Sequence, residues 1–579
     1  MLLGYAFTAV YAASFFGALL MLVLNRKPIA KLLRKSVSRY SIAVLIGALV
    51  FFVAFELLFV HPVEQLYFDE NIYQGIALNI LMHGNSGWCL YGTGYLHSCM
   101  LNSLYHDPPE SSFFIAIAFA LFGIGIGTAY ALQLFMGALA IALVFLLASS
   151  MFESKEIAIG STVILALMPQ LFIWSRTQAV PDLPFMVLAT FAFFAFVIFM
   201  KVKNIRSLYL FVFALLMALS IRIEGALLIL VFAISYFIIS SDGLRNTARE
   251  RAKELVDSLN SSTKLLIAIL VFVILAVPEL YYAVTELHSL DYGQSYTSLK
   301  VFSLYNFLTN IGPNTEYFFG LLNNIRYYPV VFPAAVSVLA IIGVAGLLID
   351  REQHHRKGAA IMLGLWFIAF FMFYAFFYAG AATSGVDVRF MLITLPPLSI
   401  FAALGIYEVS RLPLSVRRAS RKPGISEAAA MKASRVLFAV LLFTAVMVPF
   451  ALIVPTITVP VSGMPQEHMA NAAVSFIYQS YNKVPTNCLV YTFTPDLWYE
   501  LGRSAASVQT YMPGSSATKG YSCYVFDYGY WCAVPPYHST LCAHVMSSYK
   551  TAALATSGIY SPAYGNVSFG LYELLNITG

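Results

Sequence analysis

The sequence Tyr67-Phe-Asp-Glu-Asn-Ile-Tyr-Gln-Gly-Ile-Ala-Leu-Asn-Ile-Leu-Met-His-Gly84 places two adjacent carboxylates just after an apolar run, Ser41 to Val60, that is long enough to cross a bilayer. Ionisable groups at a membrane boundary are costly unless solvated, paired or bound to a ligand, so Asp69 and Glu70 are candidates for a functional site. Tyr73 and several apolar residues follow at helical spacing, which predicts a short amphipathic helix on the membrane surface. The alternative is a plain helix N-terminus, where acidic residues favour the positive end of the dipole.

The composition of the chain is that of a polytopic membrane protein. Hydrophobic residues make up 60% of the 579 residues and charged residues 11%, against about 25% charged residues in soluble domains. Apolar runs of about 20 residues recur along the chain and predict an α-helical bundle with about 12 crossings. The net charge of +6 comes from basic residues concentrated in a few loops. It therefore indicates membrane orientation and gives no reason to expect nucleic-acid binding.

Charge asymmetry predicts which loops face the cytoplasm. Six basic residues and no acidic residue lie between positions 26 and 39, and a second basic group lies between 411 and 422. By the positive-inside rule both groups are cytoplasmic. The loop from His61 to Ser112, which contains five acidic residues and no Lys or Arg, is then outside. This places the Asp69–Glu70 pair on the outer face of the membrane.

Two later turns at outer helix ends carry charged residues. Ser175-Arg-Thr-Gln-Ala-Val-Pro-Asp182 links two apolar segments, and Arg222-Ile-Glu-Gly225 links the next two. Asp182 belongs either to a site or to the first turn of the following helix. Arg176 is either a site residue or an interface anchor. Arg222 is spaced to pair with the nearby glutamate or to meet a phosphate.

Two further candidates flank prolines. Arg389 lies in Val386-Asp-Val-Arg-Phe-Met-Leu-Ile-Thr-Leu-Pro-Pro-Leu398, at the expected outer mouth of a helix, where its guanidinium can pair bidentately with a phosphate or with Asp387. His106 opens His106-Asp-Pro-Pro-Glu110, whose prolines end any preceding helix and predict a surface or re-entrant helix. His106 is included among the candidates for substrate contact.

Together these stretches resemble the C-type glycosyltransferases. The acidic pair after a membrane helix, the turn from Arg176 to Asp182 and the helix led by Arg389 occur in the order and approximate spacing of that family, over roughly residues 41–407. The motifs resemble those of the dolichyl-phosphate-mannose protein mannosyltransferase and lipid A aminoarabinose transferase group. The chain departs from the aminoarabinose transferases at Asp107 and Glu110, where they have Lys and Leu.

The resemblance implies inverting transfer of a sugar from a polyprenyl-phosphate carrier at the outer face of the membrane. It implies that Asp69 is the general base, with Glu70 orienting it or contacting the acceptor. The implied substrate-binding residues are Arg176, Asp182, Arg222, Arg389, Tyr73 and His106, with phosphate contacts expected least from Arg222 and most from Arg389. The partners are the donor, membrane lipids and an acceptor that is a lipid, glycan or protein. A phosphodiester leaves as a weak base, so a divalent metal is not obligatory; no metal ligands are assigned and metal dependence stays open.

The composition changes near Thr456, where polar residues, Pro and Gly increase. We predict a membrane domain over residues 1–455 and a small extracytoplasmic α/β domain over residues 456–579. Tyr491-Thr-Phe-Thr494 predicts a strand edge in the second domain. Sequons at Asn566 and Asn576 predict glycosylation there.

All six cysteines lie in regions that charge alone places outside, which favours disulfides in an oxidising exterior. We expect Cys89 to bridge Cys99 across a Gly-rich stretch. The remaining four cysteines, Cys488, Cys523, Cys532 and Cys542, should then pair within the outer domain, with three connectivities open. A zinc site is the competing interpretation, but the sequence contains no tight Cys-x-x-Cys pair.

Two other functions compete with sugar transfer of this type. Phe526-Asp-Tyr-Gly-Tyr-Trp531 resembles part of the Trp-Trp-Asp-Tyr-Gly signature of oligosaccharyltransferases, which share the C-type fold, but lacks both leading tryptophans. A non-catalytic transporter would bind the same lipid-linked sugar. Transporters often carry internal repeats and mid-membrane charges, whereas this chain shows no repeat and its charges lie at predicted outer helix ends. The sequence thus favours a multi-pass enzyme of the cell membrane with an extracytoplasmic active site.

Overall fold

The computed structural model describes residues 2–34, 36–60, 69–89, 91–93, 98–99, 104, 108–176, 180–239, 262–288, 301–321, 332–349, 354–382, 387–413, 427–458, 465–513, 520–534, 540–561 and 564–575. Within them, helices account for the long apolar stretches and a mixed sheet accounts for the polar C-terminal part.

Numbered in chain order, the helices are α1 (Leu2–Leu33), α2 (Arg39–Phe59), α3 (Asp69–His83), α4 (Glu110–Phe122), α5 (Ile126–Phe152), α6 (Lys155–Ala166), α7 (Pro169–Arg176), α8 (Asp182–Val202), α9 (Ile205–Leu219), α10 (Ala226–Ile239), α11 (Ser262–His288), α12 (Leu304–Phe318), α13 (Ala334–Ile349), α14 (His354–Phe376), α15 (Leu395–Ser410), α16 (Glu427–Thr458), α17 (Pro465–Ser480), α18 (Pro495–Glu500), α19 (Tyr530–Ala533) and α20 (Thr540–Ser548). The strands are β1 (Tyr91–Thr93), β2 (Ser98–Cys99), β3 (Cys488–Thr492), β4 (Ser504–Ser507), β5 (Cys523–Tyr528), β6 (Lys550–Ser561) and β7 (Gly565–Leu575). Segments of 3₁₀ helix cover Ile223–Gly225, Asp387–Thr394 and Tyr481–Lys483.

The membrane part is a helical bundle, as its composition predicts. Among the described residues, eight helices are long and apolar enough to cross a membrane. The pair α6 and α7, bent by 56° where α7 begins at Pro169, could form a ninth span. The shorter apolar helices α4, α9, α10 and α13 accompany them. The polytopic α-helical fold is therefore confirmed, while a total of about 12 crossings requires some of these shorter helices to span as well.

Burial separates the centre of the bundle from its periphery. The span of α8 and the span from Val388 to Ser410 are each 94% buried, whereas those of α2 and α16 are only 17% and 11% buried. Apolar side chains left exposed on a long helix are suited to lipid contact. Consequently α8 and α15 form the centre, and the charged residues at their N-terminal ends lie close together.

A seven-stranded sheet forms the C-terminal domain, named the outer domain for its predicted location, in the order β2-β1-β4-β3-β5-β7-β6. Strand β3 pairs in parallel with both β4 and β5, and the other pairs are antiparallel. The sheet is not built from the C-terminal segment alone, because β1 from the first outer loop pairs with β4. The first outer loop is thus joined to the outer domain through backbone hydrogen bonds.

The strand predicted around Tyr491 exists, but its assignment to a strand edge is wrong. Every residue of β3 is buried, because β3 has a neighbour on each side and an apolar cluster on each face of the sheet. Central parallel strands characteristically show such continuous burial, instead of an alternating pattern.

The described cysteines are bridged, as the sequence analysis expected for the outer domain. Cys488 pairs with Cys523 and Cys532 with Cys542, which selects one of the three open connectivities. Cys89 is also disulfide-bonded. The side chain of Cys99 lies outside the described residues, so the local ring between Cys89 and Cys99 stays a prediction.

Candidate functional site

Helix α3 begins at Asp69, where a helix was expected. The prediction that it is amphipathic and lies on a surface is wrong, because residues 70–80 are all buried, the polar Asn71, Gln74 and Asn79 included. Glu70, the residue after Asp69, is buried, and the Tyr130 hydroxyl of α5 donates a hydrogen bond to its Oε2 atom at 3.3 Å. Tyr73 is buried in the membrane-domain core. The side chain of Asp69 lies outside the described residues. The contact with Tyr130 holds Glu70 in place and is compatible with an orienting role.

Asp182 and Arg222 form a buried ion pair between the start of α8 and the turn that follows α9. Asp182 is the first residue of α8, and its Oδ1 atom lies 3.0 Å from Nη1 of Arg222. The Nε atom of Arg222 pairs with Oε1 of Glu224 at 2.5 Å, so the pairing expected from their spacing is present. The Tyr374 hydroxyl donates to the same glutamate oxygen at 2.8 Å. Arg222 is thus fixed by two carboxylates.

Arg389 approaches the same aspartate from the 3₁₀ segment before α15. Its Nε atom lies 3.7 Å from Oδ2 of Asp182, which is an ionic contact but too long for a hydrogen bond. The guanidinium carbons of Arg222 and Arg389 lie 5.1 Å and 5.2 Å from the centroid of the Phe390 ring. Tyr374 stacks on that ring. Two arginines therefore converge on one carboxylate and one aromatic ring.

Among the described side chains of this cluster, the charges balance. Arg222 and Arg389 contribute two positive charges, and Asp182 and Glu224 two negative charges. The Arg222 side chain is 9% exposed and that of Arg389 is 14% exposed. The greater exposure of Arg389 makes it the more accessible guanidinium for a phosphate.

The remaining sequence candidates lie elsewhere or outside the described residues. Arg176 ends α7 and interacts electrostatically with the buried Glu56, which accepts a hydrogen bond from the Ser175 hydroxyl. His106 and the side chain of Asp387 are not among the described residues. Substrate contacts of Arg176, His106 and Tyr73 therefore stay predictions.

A contact that sequence reasoning missed joins α3 to the outer domain. Asp496, on α18, is buried against Gly75, where a Cβ atom would overlap its carboxyl group. The Trp88 indole N–H donates to Oδ2 of Asp496 at 3.2 Å. Burial raises the pKa of Asp496 well above its usual range, and the hydrogen bond from Trp88 partly opposes this rise. The helix that carries Asp69 and Glu70 is thereby held by the outer domain.

The described part of the chain contains no candidate metal site. No group of three or more His, Cys, Asp or Glu side chains there is arranged to hold a metal ion. Cys488, Cys523, Cys532 and Cys542 of the outer domain form two disulfides. Because a bridged cysteine has no thiolate to bind zinc, these four residues do not support the competing zinc interpretation.

Comparisons with known proteins agree with the motifs and the fold. Residues 106–282 match the family model of dolichyl-phosphate-mannose-protein mannosyltransferases. No curated protein matches the sequence significantly. The crystal structure of ArnT from Cupriavidus metallidurans bound to undecaprenyl phosphate aligns with a TM-score of 0.53 and 14% identity, over 94% of this chain and 100% of ArnT. The apo form of the same enzyme aligns with a TM-score of 0.51.

A second enzyme class shares the fold. An oligosaccharyltransferase from Archaeoglobus fulgidus, tethered to an acceptor peptide containing a sequon, aligns with a TM-score of 0.51 and 14% identity, over 92% of this chain and 74% of that chain. The family-model match and these alignments confirm the resemblance to C-type glycosyltransferases and the predicted fold class. The fold is common to both classes and does not choose between them.

Proposed function

We propose that the protein is an integral-membrane, inverting glycosyltransferase that moves a hexose or pentose from a polyprenyl-phosphate carrier to a lipid, glycan or protein acceptor. The observation that carries this proposal is the convergence of Arg222 and Arg389 on Asp182 at the outer ends of the most buried helices. Guanidinium groups suit a phosphate leaving group, because they match its geometry and stay charged. An ArnT with the same fold was solved with undecaprenyl phosphate bound.

The reaction divides between two groups of residues. Asp69 accepts the proton of an acceptor hydroxyl, and the acceptor oxygen attacks the anomeric carbon from the face opposite the phosphate. A bond forms between that oxygen and the anomeric carbon as the bond from the same carbon to the phosphate oxygen breaks. The electron pair of the broken bond leaves with the polyprenyl phosphate, and the configuration inverts.

Arg389 and Arg222 act on the leaving group in different ways. Arg389, the more exposed of the two guanidinium groups, stabilises the negative charge that develops on the phosphate. Arg222 is held by Asp182 and Glu224 and preserves the shape of the site. Glu70, held by Tyr130, orients Asp69 or contacts the acceptor.

The active site faces the outer side of the membrane. Two disulfides in the outer domain favour an oxidising compartment, and β1 joins this domain to the first outer loop. The basic loops at 26–39 and 411–422 lie on the opposite side by the positive-inside rule. These independent features support one orientation.

Reconstitution tests this function. The purified chain in proteoliposomes is incubated with polyprenyl-phosphate sugars, and release of polyprenyl phosphate is measured together with labelling of host glycans, lipids and proteins. We expect carrier release coupled to a new glycosidic bond. Movement of intact donor across the bilayer without any carrier release would identify a transporter instead. Mass spectrometry of host glycans with and without the protein then identifies the sugar and the acceptor.

A further inference from the structure

The outer domain contains a pocket outside the transfer site. Its lining combines Thr492, Phe493 and Thr494 after β3, Asp527 and Gly529 at the end of β5, and Tyr530 and Trp531 on α19, with Ala473 and Ile477 of α17 as an apolar side. The pocket opens to solvent, and the space between its lining residues, open solvent included, is about 280 Å³. Part of the lining comes from Phe526-Asp-Tyr-Gly-Tyr-Trp531, the stretch that resembles part of an oligosaccharyltransferase signature, and transfer as proposed above uses none of its residues.

The topology of the sheet accounts for the position of the pocket. Strand β3 has two parallel neighbours, and the chain runs from β3 to β4 on one side and then to β5 on the other. The connection after β3 leads to β4 on one side, and the connection after β5 leads to β6 and β7 on the other side. Because the two connections diverge, a crevice opens at the carboxyl ends of β3 and β5. Ligands of open α/β sheets bind at such switch points.

Asp527 supplies one oriented acceptor at this crevice. Its side chain is 3% exposed, and its Oδ2 atom accepts hydrogen bonds from the Thr492 hydroxyl and the Trp498 indole N–H, both at 2.9 Å. Its Oδ1 atom has no hydrogen-bond partner among the described residues. A Cβ atom at Gly529 would lie 3.0 Å from Oδ1, so the glycine keeps the space beside that oxygen open. A buried acceptor without a partner is costly, and a ligand hydroxyl would remove that cost.

The rest of the lining defines the ligand chemistry. Phe493, Tyr530 and Trp531 offer aromatic surfaces, whose negative faces attract the polarised C–H groups of a sugar ring. Thr492 and Thr494 add hydroxyls at the rim. Asp527 is the one charged residue among those that line the described pocket, so a phosphate or carboxylate would be repelled.

We propose that this pocket binds a neutral monosaccharide unit, with Asp527 accepting a hydrogen bond from a ring hydroxyl and Trp531 packing on the ring. The site goes beyond the transfer reaction, because it is a second sugar site in the outer domain. Thr494 directly precedes α18, which carries Asp496 against Gly75 of α3. A sugar bound here therefore lies at the start of α18, the helix that contacts α3, which carries the proposed base Asp69. It belongs either to an acceptor glycan or to the carrier-linked donor.

Saturation-transfer NMR on the full chain in nanodiscs tests the pocket directly. The probes are methyl glycosides of the common neutral hexoses, pentoses and N-acetylhexosamines, with methyl hexuronates as anionic counterparts. We expect at least one neutral glycoside to bind and the hexuronates to bind more weakly. Asp527→Asn retains an acceptor for Thr492 and Trp498 but turns a donor toward the pocket, so affinity should fall at least about 10-fold.

Trp531→Ala gives an independent second variant, and it should also weaken binding. Tyr560→Ala, an exposed aromatic residue on β6, and Glu573→Gln on β7 are the matched controls and should bind like wild type. Displacement of the glycoside by an added polyprenyl-phosphate sugar would identify the donor as the occupant, and retention would identify the acceptor. Binding by none of the neutral glycosides, or unchanged affinity in Asp527→Asn and Trp531→Ala, would overturn the proposal. Binding is measured without transfer, so this failure would leave the proposed reaction standing.

Discussion

The carboxyl group of Asp496 lies directly against the backbone of Gly75, so the outer domain rests on the helix that begins with Asp69 and Glu70. Trp88, on the segment between α3 and β1, donates a hydrogen bond to the same carboxyl group. The contact leaves no room for a side chain at residue 75. The position of the proposed base thus depends on a domain more than 400 residues further along the chain.

Gly75→Ala should weaken this contact and slow sugar transfer. The added methyl group must displace the Asp496 carboxyl group, and overpacking of this kind costs about 1–3 kcal/mol. We expect faster proteolysis between the two parts and a lower turnover. Gly47→Ala is the matched control, because a Cβ atom at this helical glycine meets nothing within 4 Å. Equal proteolysis and turnover in the two variants would show that the contact does not position α3.

Arg389 and Arg222 should give different phenotypes. Arg389→Gln removes the more exposed guanidinium, and we expect the KM for the donor to rise at least about 10-fold while the fold persists. Arg222→Gln leaves Asp182 and Glu224 buried without their shared cation, which should destabilise the bundle by about 3–5 kcal/mol. Donor kinetics and thermal unfolding separate the two effects. Arg411→Gln, at the far end of α15, serves as the control.

An unchanged donor KM in Arg389→Gln would remove this residue from phosphate binding. A destabilised Arg389→Gln together with a stable Arg222→Gln would reverse the roles proposed for the two arginines.

The candidate site was partly visible in the sequence. Asp182 and Arg222 could be nominated because each occupies a short charged turn between apolar segments, and charge asymmetry placed both turns on one side of the membrane. Their pairing was not visible, because it depends on how α8 and α9 pack. Tyr130 and Tyr374, which hydrogen-bond to Glu70 and Glu224, carry no local signal, since an aromatic residue at a helix end is common in membrane proteins.

In the fold, too, features set by the local sequence were predictable, and features set by long-range contacts were not. The apolar run from Ser41 to Val60 predicted α2 within about two residues at each end, because the thickness of the bilayer fixes the length of a spanning helix. Strands β1 and β2 contain three and two residues, too few for any alternating pattern. Their pairing with the C-terminal sheet and the contact between Gly75 and Asp496 arise only from tertiary structure.

The two described disulfides should stabilise the outer domain unequally. Cys488 and Cys523 are 35 residues apart, and Cys532 and Cys542 are 10 residues apart. Removing a disulfide typically costs about 2–4 kcal/mol, and the chain-entropy model gives the longer loop about 1 kcal/mol more. Replacing each pair by serines should therefore lower the melting temperature of the outer domain more for the first pair. The opposite ranking would show that packing around the sulfurs outweighs loop entropy.

Mass mapping of the unreduced protein should find Cys89 linked to Cys99. Cys89 is disulfide-bonded, and the four cysteines of the C-terminal segment pair with one another. A peptide that links Cys89 to the C-terminal segment would contradict the local ring.

The stability of the outer domain should depend on pH through Asp527. Burial raises the pKa of Asp527 to about 6, while its hydrogen bonds from Trp498 and Thr492 oppose the rise. The folded state thus favours the neutral carboxyl group. The resulting stabilisation, about 3 kcal/mol, is complete below the unfolded pKa near 4 and is lost as the pH rises through 6.

Asp527→Asn is neutral at every pH and lacks this dependence. The melting temperature of the wild-type outer domain, followed by tryptophan fluorescence, should therefore fall relative to Asp527→Asn between pH 4 and pH 7. A constant difference between the two proteins across this range would contradict the assigned pKa.

The proposed general base provides the most direct test of the reaction. In proteoliposomes with a polyprenyl-phosphate sugar and its acceptor, Asp69→Asn should slow transfer by at least about 100-fold, because an amide cannot accept the acceptor proton. Its donor affinity and melting temperature should remain close to wild type. Glu64→Gln, which removes another acid from the same outer loop, should transfer sugar normally. Near-normal turnover in Asp69→Asn would contradict the mechanism, whereas the predicted result is lost transfer with retained donor binding.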